Sequence, residues 1–273
     1  MKKLPIAYQL YCVRNEMEQD LEGTLKKVKE LGFDGVEFAG FYNKTAAEMK
    51  ALVSEIGLTP ISSHVPLQSI IADMDGVIRY HKELGCEYIA IPYLGEDDRP
   101  GAPSFAKVLS VIYQFALKCK DAGITLLYHN HDFEFIKVSG IYGLDFIYDA
   151  IPEDLLKTEI DTCWVKYAGV DPITYLAQYK GRAPIVHIKD FVSDNSGRTP
   201  YALIGLDDDT GVDYAGFSYR PFGHGSQDAE GLLKAAVDAG AVWLVLEQDD
   251  PSGASPFEDA KMSMETFARL GMK

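Results

Sequence analysis

Four apolar runs in this chain end in the same way. VWLVLEQDD carries Val242–Leu246 up to Glu247, and ITLLYHNHDFEF runs into His129, His131 and Glu134. LLKTEIDTCW ends in Asp161, and PIVHIKDF delivers His187, Lys189 and Asp190. Short apolar runs bounded by polar residues read as buried strands. Strands that are apolar along their length, yet each end in acids and imidazoles, are what a closed parallel barrel produces. Its C-terminal tips converge on one mouth, so residues distant in sequence can meet around a single ion or substrate.

The rest of the chain alternates strand and helix patterns. Strands are predicted at Ile6–Leu10, Gly35–Phe38, Thr59–Ser63, Tyr88–Pro92, Ile124–His129, Leu156–Ile160, Pro184–Lys189 and Val242–Glu247. Leu21, Leu25, Val28 and Leu31 recur at helical spacing before Gly32. Thr45-Ala46-Ala47-Glu48 is a capping box, in which the Thr hydroxyl and the Glu carboxylate each satisfy a free backbone N–H. Further helices are predicted over about 70–84, 104–122, 143–150, 228–239 and 256–270, and from Asp171-Pro172 onward. Eight strands with intervening helices predict an α/β fold of the (β/α)8 TIM-barrel type. No GxGxxG turn follows the first strand, as a dinucleotide-binding open sheet would require. The 273 residues suit one barrel, and no Pro/Ser-rich linker divides them, so residues 1–273 are read as one domain. The stretch Phe191–Gly225 stands apart: it is polar and aperiodic, with Asp207, Asp208 and Asp209 in a row. Connections of that length are usually functional, and this one would lie over the active face.

Charge and cysteine usage narrow the function classes. The formal net charge is −15. An acidic surface opposes nucleic acid, whose affinity rests on Lys/Arg neutralising phosphates, and opposes anionic membranes. Cys12, Cys86, Cys119 and Cys163 show no metal-binding spacing and suit a reduced compartment. No apolar run is long enough for a bilayer, and MKKLPIAYQLY lacks the apolar core of a signal peptide. The expected setting is the cytoplasm, the expected partner a small sugar or polyol. Assembly into a homo-oligomer is compatible with all of this.

The strand-tip residues carry the chemistry. Glu134, Asp161, His187 and Glu247 follow strands five to eight and would surround one divalent ion. His129 is the other candidate for the first place. An acid at such a tip can also cap the next helix or form a rim ion pair. Carboxylates favour Mn²⁺ or Mg²⁺, and the imidazole draws toward Mn²⁺, Co²⁺ or Zn²⁺; Mn²⁺ is the first expectation. Lys189 lies two residues beyond His187, on the same side of the strand, and could polarise a carbonyl. His131 is the candidate base, since an imidazole near its ordinary pKa works at neutral pH. Glu37, His64, His129, Trp164 and His224 are expected to contact substrate.

With these residues in view, the chain resembles the xylose-isomerase-like TIM-barrel family, the sugar phosphate isomerases/epimerases. The resemblance rests on AYQLYCVRNEM, LGFDGVEFAGF, ISSH, YHNHDFEF, IDTCWVKYAGVDP, VHIKD and FGHGSQD, which together span nearly the whole chain. It implies a divalent metal held by Glu, Asp, His and Glu from strands five to eight. Asp161, His187 and Glu247 match residue by residue. At the first position many epimerases carry Glu where this chain has about His129, and the nearest carboxylate is Glu134. That departure is at odds with the two-glutamate proton shuttle of ketose 3-epimerases. The HNHxxE form looks like the branch with inosose dehydratases and lyases of 3-keto-glycosides, where a histidine is expected to act as base.

The expected function is a metal-dependent sugar isomerase or epimerase that removes a proton next to a carbonyl, with Lys189, His131 and Glu247 as catalytic groups. A dehydratase or lyase of the inosose dehydratase or 3-keto-glycoside type is the alternative outcome. A phosphodiesterase of the endonuclease IV type is opposed by the acidic charge. A non-catalytic sugar-binding barrel is opposed by the intact set of metal-ligand candidates, and metal analysis discriminates.

Overall fold

A computed structural model describes residues 2–194, 216–253 and 255–273. Eight parallel strands form one sheet: β1 (Ile6–Gln9), β2 (Gly35–Phe38), β3 (Thr59–Ser63), β4 (Tyr88–Ile91), β5 (Thr125–His129), β6 (Leu156–Asp161), β7 (Ile185–Ile188) and β8 (Trp243–Leu246). Their order is β3-β2-β1-β8-β7-β6-β5-β4. A bridge between His64 and Ala90 joins the two edges, and the Val65 N–H donates to the Ala90 carbonyl at 2.8 Å. Helices lie between the strands, which makes the fold the (β/α)8 barrel expected from the strand pattern.

Strand parity organises the interior, because successive side chains point to opposite faces. Ala7, Ile61, Ala90, Leu127, Ile185 and Val245 pack together with Tyr88 and Trp243 as a small cluster inside the barrel. Ile6, Tyr8, Val36, Phe38, Leu126, Tyr128, Val186, Ile188, Leu244 and Leu246 belong instead to the large core shared with the helices. Two residues beyond Ala7, Leu127, Ile185 and Val245, the inward parity delivers Gln9, His129, His187 and Glu247. Gly35 holds the corresponding place below Glu37. A Cβ there would meet the Thr59 carbonyl oxygen at 2.8 Å and the Ile61 side chain at 3.0 Å, so the close strand approach excludes a side chain.

Local signals fix the helices. The Thr45–Glu48 capping box is formed in both directions. Asp171 caps the helix Pro172–Gln178, and Asp228 caps Ala229–Ala239. The helix expected over 70–84 is two helices, Leu67–Ala72 and Met74–Leu84. Asp73 leaves helical backbone geometry between them, and its carboxylate accepts the Gly76 N–H at 2.8 Å. A short helix at Arg14–Gln19 lies ahead of the expected one; Asp20 separates the two and caps the second through Gly23 N.

After β7 the stretch expected to be aperiodic opens and closes with regular structure. Asp190–Ser193 pairs antiparallel with Phe217–Arg220. Phe191 and Tyr219 pack there with Cys163 and Trp164, with Phe217 alongside. The Asp190 carboxylate ties the hairpin to the turn that leads into the next helix. Oδ1 accepts from Phe191 N (2.8 Å) and Gln227 N (3.1 Å), and Oδ2 from Gly223 N and Gly225 N (both 3.0 Å). A Cβ at Gly225 would sit 2.2 Å from Asp190 Oδ1, so glycine is required. Asp207, Asp208 and Asp209 lie outside the described residues. Among the described residues no helix is long and apolar enough to cross a membrane.

His81, in the helix Met74–Leu84, makes stability depend on pH. Its Nδ1 lies 2.7 Å from the Val77 carbonyl oxygen and must donate to it, leaving Nε2 buried without a partner. Burial pushes its pKa below the ordinary 6.5, although the Val77 contact opposes this. A depressed folded-state pKa means the contribution is complete above 6.5 and lost as pH falls below it. His81→Phe keeps the contacts with Phe41 and Tyr80 and removes the titration. We expect urea denaturation at pH 7 and pH 5 to show a smaller acid-induced loss of stability in this variant than in the parent. Equal losses would contradict the assignment.

Candidate active site

The mouth is lined by side chains of inward parity. Asp161 ends β6 and also caps the helix Thr162–Tyr167, its Oδ1 accepting from Cys163 N at 2.7 Å and Trp164 N at 3.2 Å. Oδ2 is left without a hydrogen-bond partner, 3.2 Å from Lys189 Nζ and 3.8 Å from His129 Nε2. The register places Asp161 beside His187, and His129 beside Glu159. His187 sits between two carboxylates: Nδ1 is 2.8 Å from Glu247 Oε2, and Nε2 is 2.8 Å from Glu37 Oε2. Lys189 Nζ lies 3.0 Å from Glu247 Oε2 and 3.1 Å from Asp249 Oδ1. Asp249 also accepts from the Tyr219 hydroxyl, which ties the hairpin to the site.

Aromatic rings form one wall. His131 stacks on Phe133 at 5.3 Å and 3°, and its ring is 5.4 Å from that of Trp164. The Arg99 guanidinium is 3.8 Å from the Phe133 ring centre, and Lys189 Nζ is 5.1 Å from that of Trp164. Such a wall offers an apolar face and a cation to a polyhydroxy ligand.

Burial and charge divide the titrating groups. Burial works against the Lys189 ammonium, but Asp161, Asp249 and Glu247 hold its pKa well above the ordinary value. Burial pushes His131 well below its ordinary pKa, and the Lys189 charge adds to this. His129 is lowered well below by burial, then by His187 and His64. Both imidazoles are therefore neutral, with lone pairs to offer. Burial also opposes ionisation of Glu37, yet His64 and His187 bring its pKa down to about 2. Glu159 goes the other way, to about 7, through burial and the charge of Glu37.

The donor set fits a divalent metal. His129, Asp161, His187 and Glu247 each offer one ligand atom, and these atoms lie within 4.8 Å of one another. Of these atoms Asp161 Oδ2 is buried and makes no hydrogen bond, with only the Lys189 ammonium at 3.2 Å and His129 Nε2 at 3.8 Å beside it. Two carboxylates and two imidazoles suit a first-row transition ion better than Mg²⁺.

The structure brings His129, Asp161, His187, Lys189 and Glu247 together, and sets His131 and Trp164 beside them. It does not bring Glu134 to the cluster. Glu134 follows β5 in a 3-10 turn, Phe133–Phe135, where Oε1 accepts from the Tyr128 hydroxyl at 2.6 Å and Oε2 from His131 N at 2.8 Å. Tyr128 has outward parity, so Glu134 is held on the outer side of β5, and His129 fills the fourth place. His224 is exposed in the turn after the hairpin. Glu37 and His64 lie on the other side of His187 from Glu247, among imidazoles and carboxylates. Sequence reading passed over Glu159 and Asp249. Glu159 was findable, because it shares the parity of Asp161 two residues on, as His187 does with Lys189.

Comparison with known proteins shows what this barrel is similar to. The family model described as xylose isomerase-like TIM barrel matches residues 25–270. An inosose dehydratase from Geobacillus kaustophilus is 22% identical over 270 residues, covering 90% of this chain and 86% of the relative. A sugar phosphate isomerase/epimerase structure from Parabacteroides distasonis superposes with TM-score 0.76 at 20% identity, covering 99% of this chain and 95% of that one. The IOLI protein with a bound zinc atom superposes with TM-score 0.73 at 14% identity, covering 98% of each chain.

Metal binding tests the four-residue cluster. Asp161→Asn keeps an oxygen for the helix cap while removing the carboxylate charge. We expect it, and Glu247→Gln, to weaken Mn²⁺ and Zn²⁺ binding in titration calorimetry by at least about 10–100-fold, the cost of losing even an outer-shell partner. Glu134→Gln should bind like the parent. Binding should also weaken in acid, because His187 must give up a proton to ligate.

Proposed function

Because the chain belongs to the xylose isomerase-like TIM-barrel family, we propose that it is a divalent-metal-dependent enzyme acting on a polyhydroxy ketone, a keto-sugar or a cyclic keto-polyol. It removes a proton from the carbon next to the carbonyl. The observation that carries this reading is the four-donor cluster His129, Asp161, His187 and Glu247 with a buried ammonium and a neutral imidazole beside it. When bound there, the metal supplies Lewis-acid stabilisation of the charge that develops on the substrate oxygens.

The chain's own groups divide the remaining work. His131 takes the proton: its Nδ1 has no hydrogen-bond partner, and the Phe133 stack holds the ring. Glu134, through the His131 backbone N–H, positions that residue. Lys189 places a fixed positive charge where an enediolate oxygen would form, held by Asp161, Glu247 and Asp249. Trp164 and Phe133 present an apolar face to the sugar ring and exclude water.

Reprotonation gives an isomerase or epimerase; loss of a β-hydroxyl gives a dehydratase. Elimination has the better support. His129 stands where a two-glutamate epimerase shuttle needs its first carboxylate, and the similarity to an inosose dehydratase extends over 90% of the chain.

His131→Ala is the direct test. With Mn²⁺ present and a panel of keto-sugars, inososes and 3-keto-glycosides, the parent should exchange the α-proton for solvent deuterium. The variant should retain its metal and lose about 10²–10⁴-fold in exchange rate, the usual cost of a missing general base. Normal exchange in a metal-loaded variant would take the base role from His131. No exchange by the parent on any substrate would favour a binding barrel.

A further inference from the structure

A second set of donor atoms lies on the other side of His187 from Glu247, and the proposed reaction does not use it. Glu37 from β2, His64 just past β3 and Glu159 from β6 converge there. His64 Nε2 is 2.8 Å from Glu159 Oε2 and 3.4 Å from Glu37 Oε2. His129 Nδ1 is 3.5 Å from Glu159 Oε2, and His187 Nε2 is 2.8 Å from Glu37 Oε2 and 3.5 Å from Glu159 Oε2. Donors of a tetrahedral zinc site, with bonds of about 2.0–2.1 Å, stand about 3.4 Å apart. The observed spacings bracket that value.

Each glutamate meets an imidazole nitrogen at 2.8 Å through Oε2, and its second oxygen is left over. Both glutamates are fully buried, and Oε1 of each has no hydrogen-bond partner, nor has His129 Nδ1. Gln9 supplies a neutral donor, to Glu37 Oε2 at 2.8 Å. The His64 and His187 rings supply positive charge while protonated, and a divalent ion can take the place of those protons. The His64 side chain is 10% exposed, against 0–2% for the other donors.

We propose that Glu37, His64 and Glu159, with a ring nitrogen of His129 or His187 as fourth donor, form a second divalent-cation site of the Zn²⁺ type beside the first. His129 and His187 serve as the partition: His129 turns Nε2 to Asp161 and Nδ1 to Glu159, and His187 turns Nδ1 to Glu247 and Nε2 to Glu37. A ring that ligates both ions does so as imidazolate, its N–H proton passing to solvent; the site shares that ring with the first and does not depend on which reaction the mouth performs.

The test is the number of zinc ions per chain. The full chain is equilibrated with Zn²⁺, desalted and analysed by elemental mass spectrometry. The parent should hold two. Glu159→Gln and His64→Gln should each hold one, and the double variant Asp161→Asn/Glu247→Gln should also hold one, the ion of the second site. Anomalous scattering at the zinc edge from crystals of the parent should show two peaks, a readout that needs no variant to fold. One zinc in the parent, kept in Glu159→Gln and lost in the double variant, would overturn the second site and leave the proposed function standing. One zinc lost in Glu159→Gln and kept in the double variant would support the second site and remove the metal from the mouth. No zinc in the parent would overturn both.

Discussion

Five carboxylates sit in the dry upper half of one barrel: Glu37, Glu159, Asp161, Glu247 and Asp249. Burying charge is unfavourable unless opposite charge and hydrogen bonds accompany it. Lys189 answers for three of them and is itself almost fully enclosed, an uncommon place for a lysine. Remove the ammonium and Asp161, Glu247 and Asp249 repel one another; remove the acids and a lone ammonium is stranded. The positions of the imidazoles, the Tyr219 hydroxyl and the Gln9 amide are set by the need to pair this negative charge.

Asp161 shows how little chain achieves this. One oxygen closes the first turn of the helix after β6, and the other faces the mouth. The cap holds the backbone and the rotamer, so the second oxygen is aimed at the Lys189 ammonium, 3.2 Å away. A site whose ligands are also the joints of the scaffold is held in position by folding itself.

Much of this was legible in the sequence, because the barrel writes itself as apolar runs with polar ends. Asp161 and Glu247 stood out because each ends an almost wholly apolar strand, yet Asp161 also turns out to cap the next helix, the ordinary role its place had argued against. Glu134 misled for a physical reason: it lies past the end of Thr125–His129, in register with nothing, inside a turn whose direction a sequence does not reveal. Glu159 was hidden inside the strand, where a single acid among apolar residues looks like an irregularity until its parity with Asp161 is noticed. Asp249 gains its meaning from Tyr219, which is 30 positions away and arrives through a hairpin that composition alone presented as a polar stretch. The break at Asp73 was concealed because the apolar spacing on either side stays in phase.

Asp190 has a wider consequence. Its carboxylate gathers four backbone N–H groups from both sides of the hairpin, while the strand pairing joins Ser193 to Phe217. The hairpin, the turn into Ala229–Ala239 and the strand end that carries Lys189 thus share one anchor. A single uncharged side chain at position 190 would strand four N–H donors at once, and the Tyr219 hydroxyl that meets Asp249 would lose its fixed place above the buried ammonium.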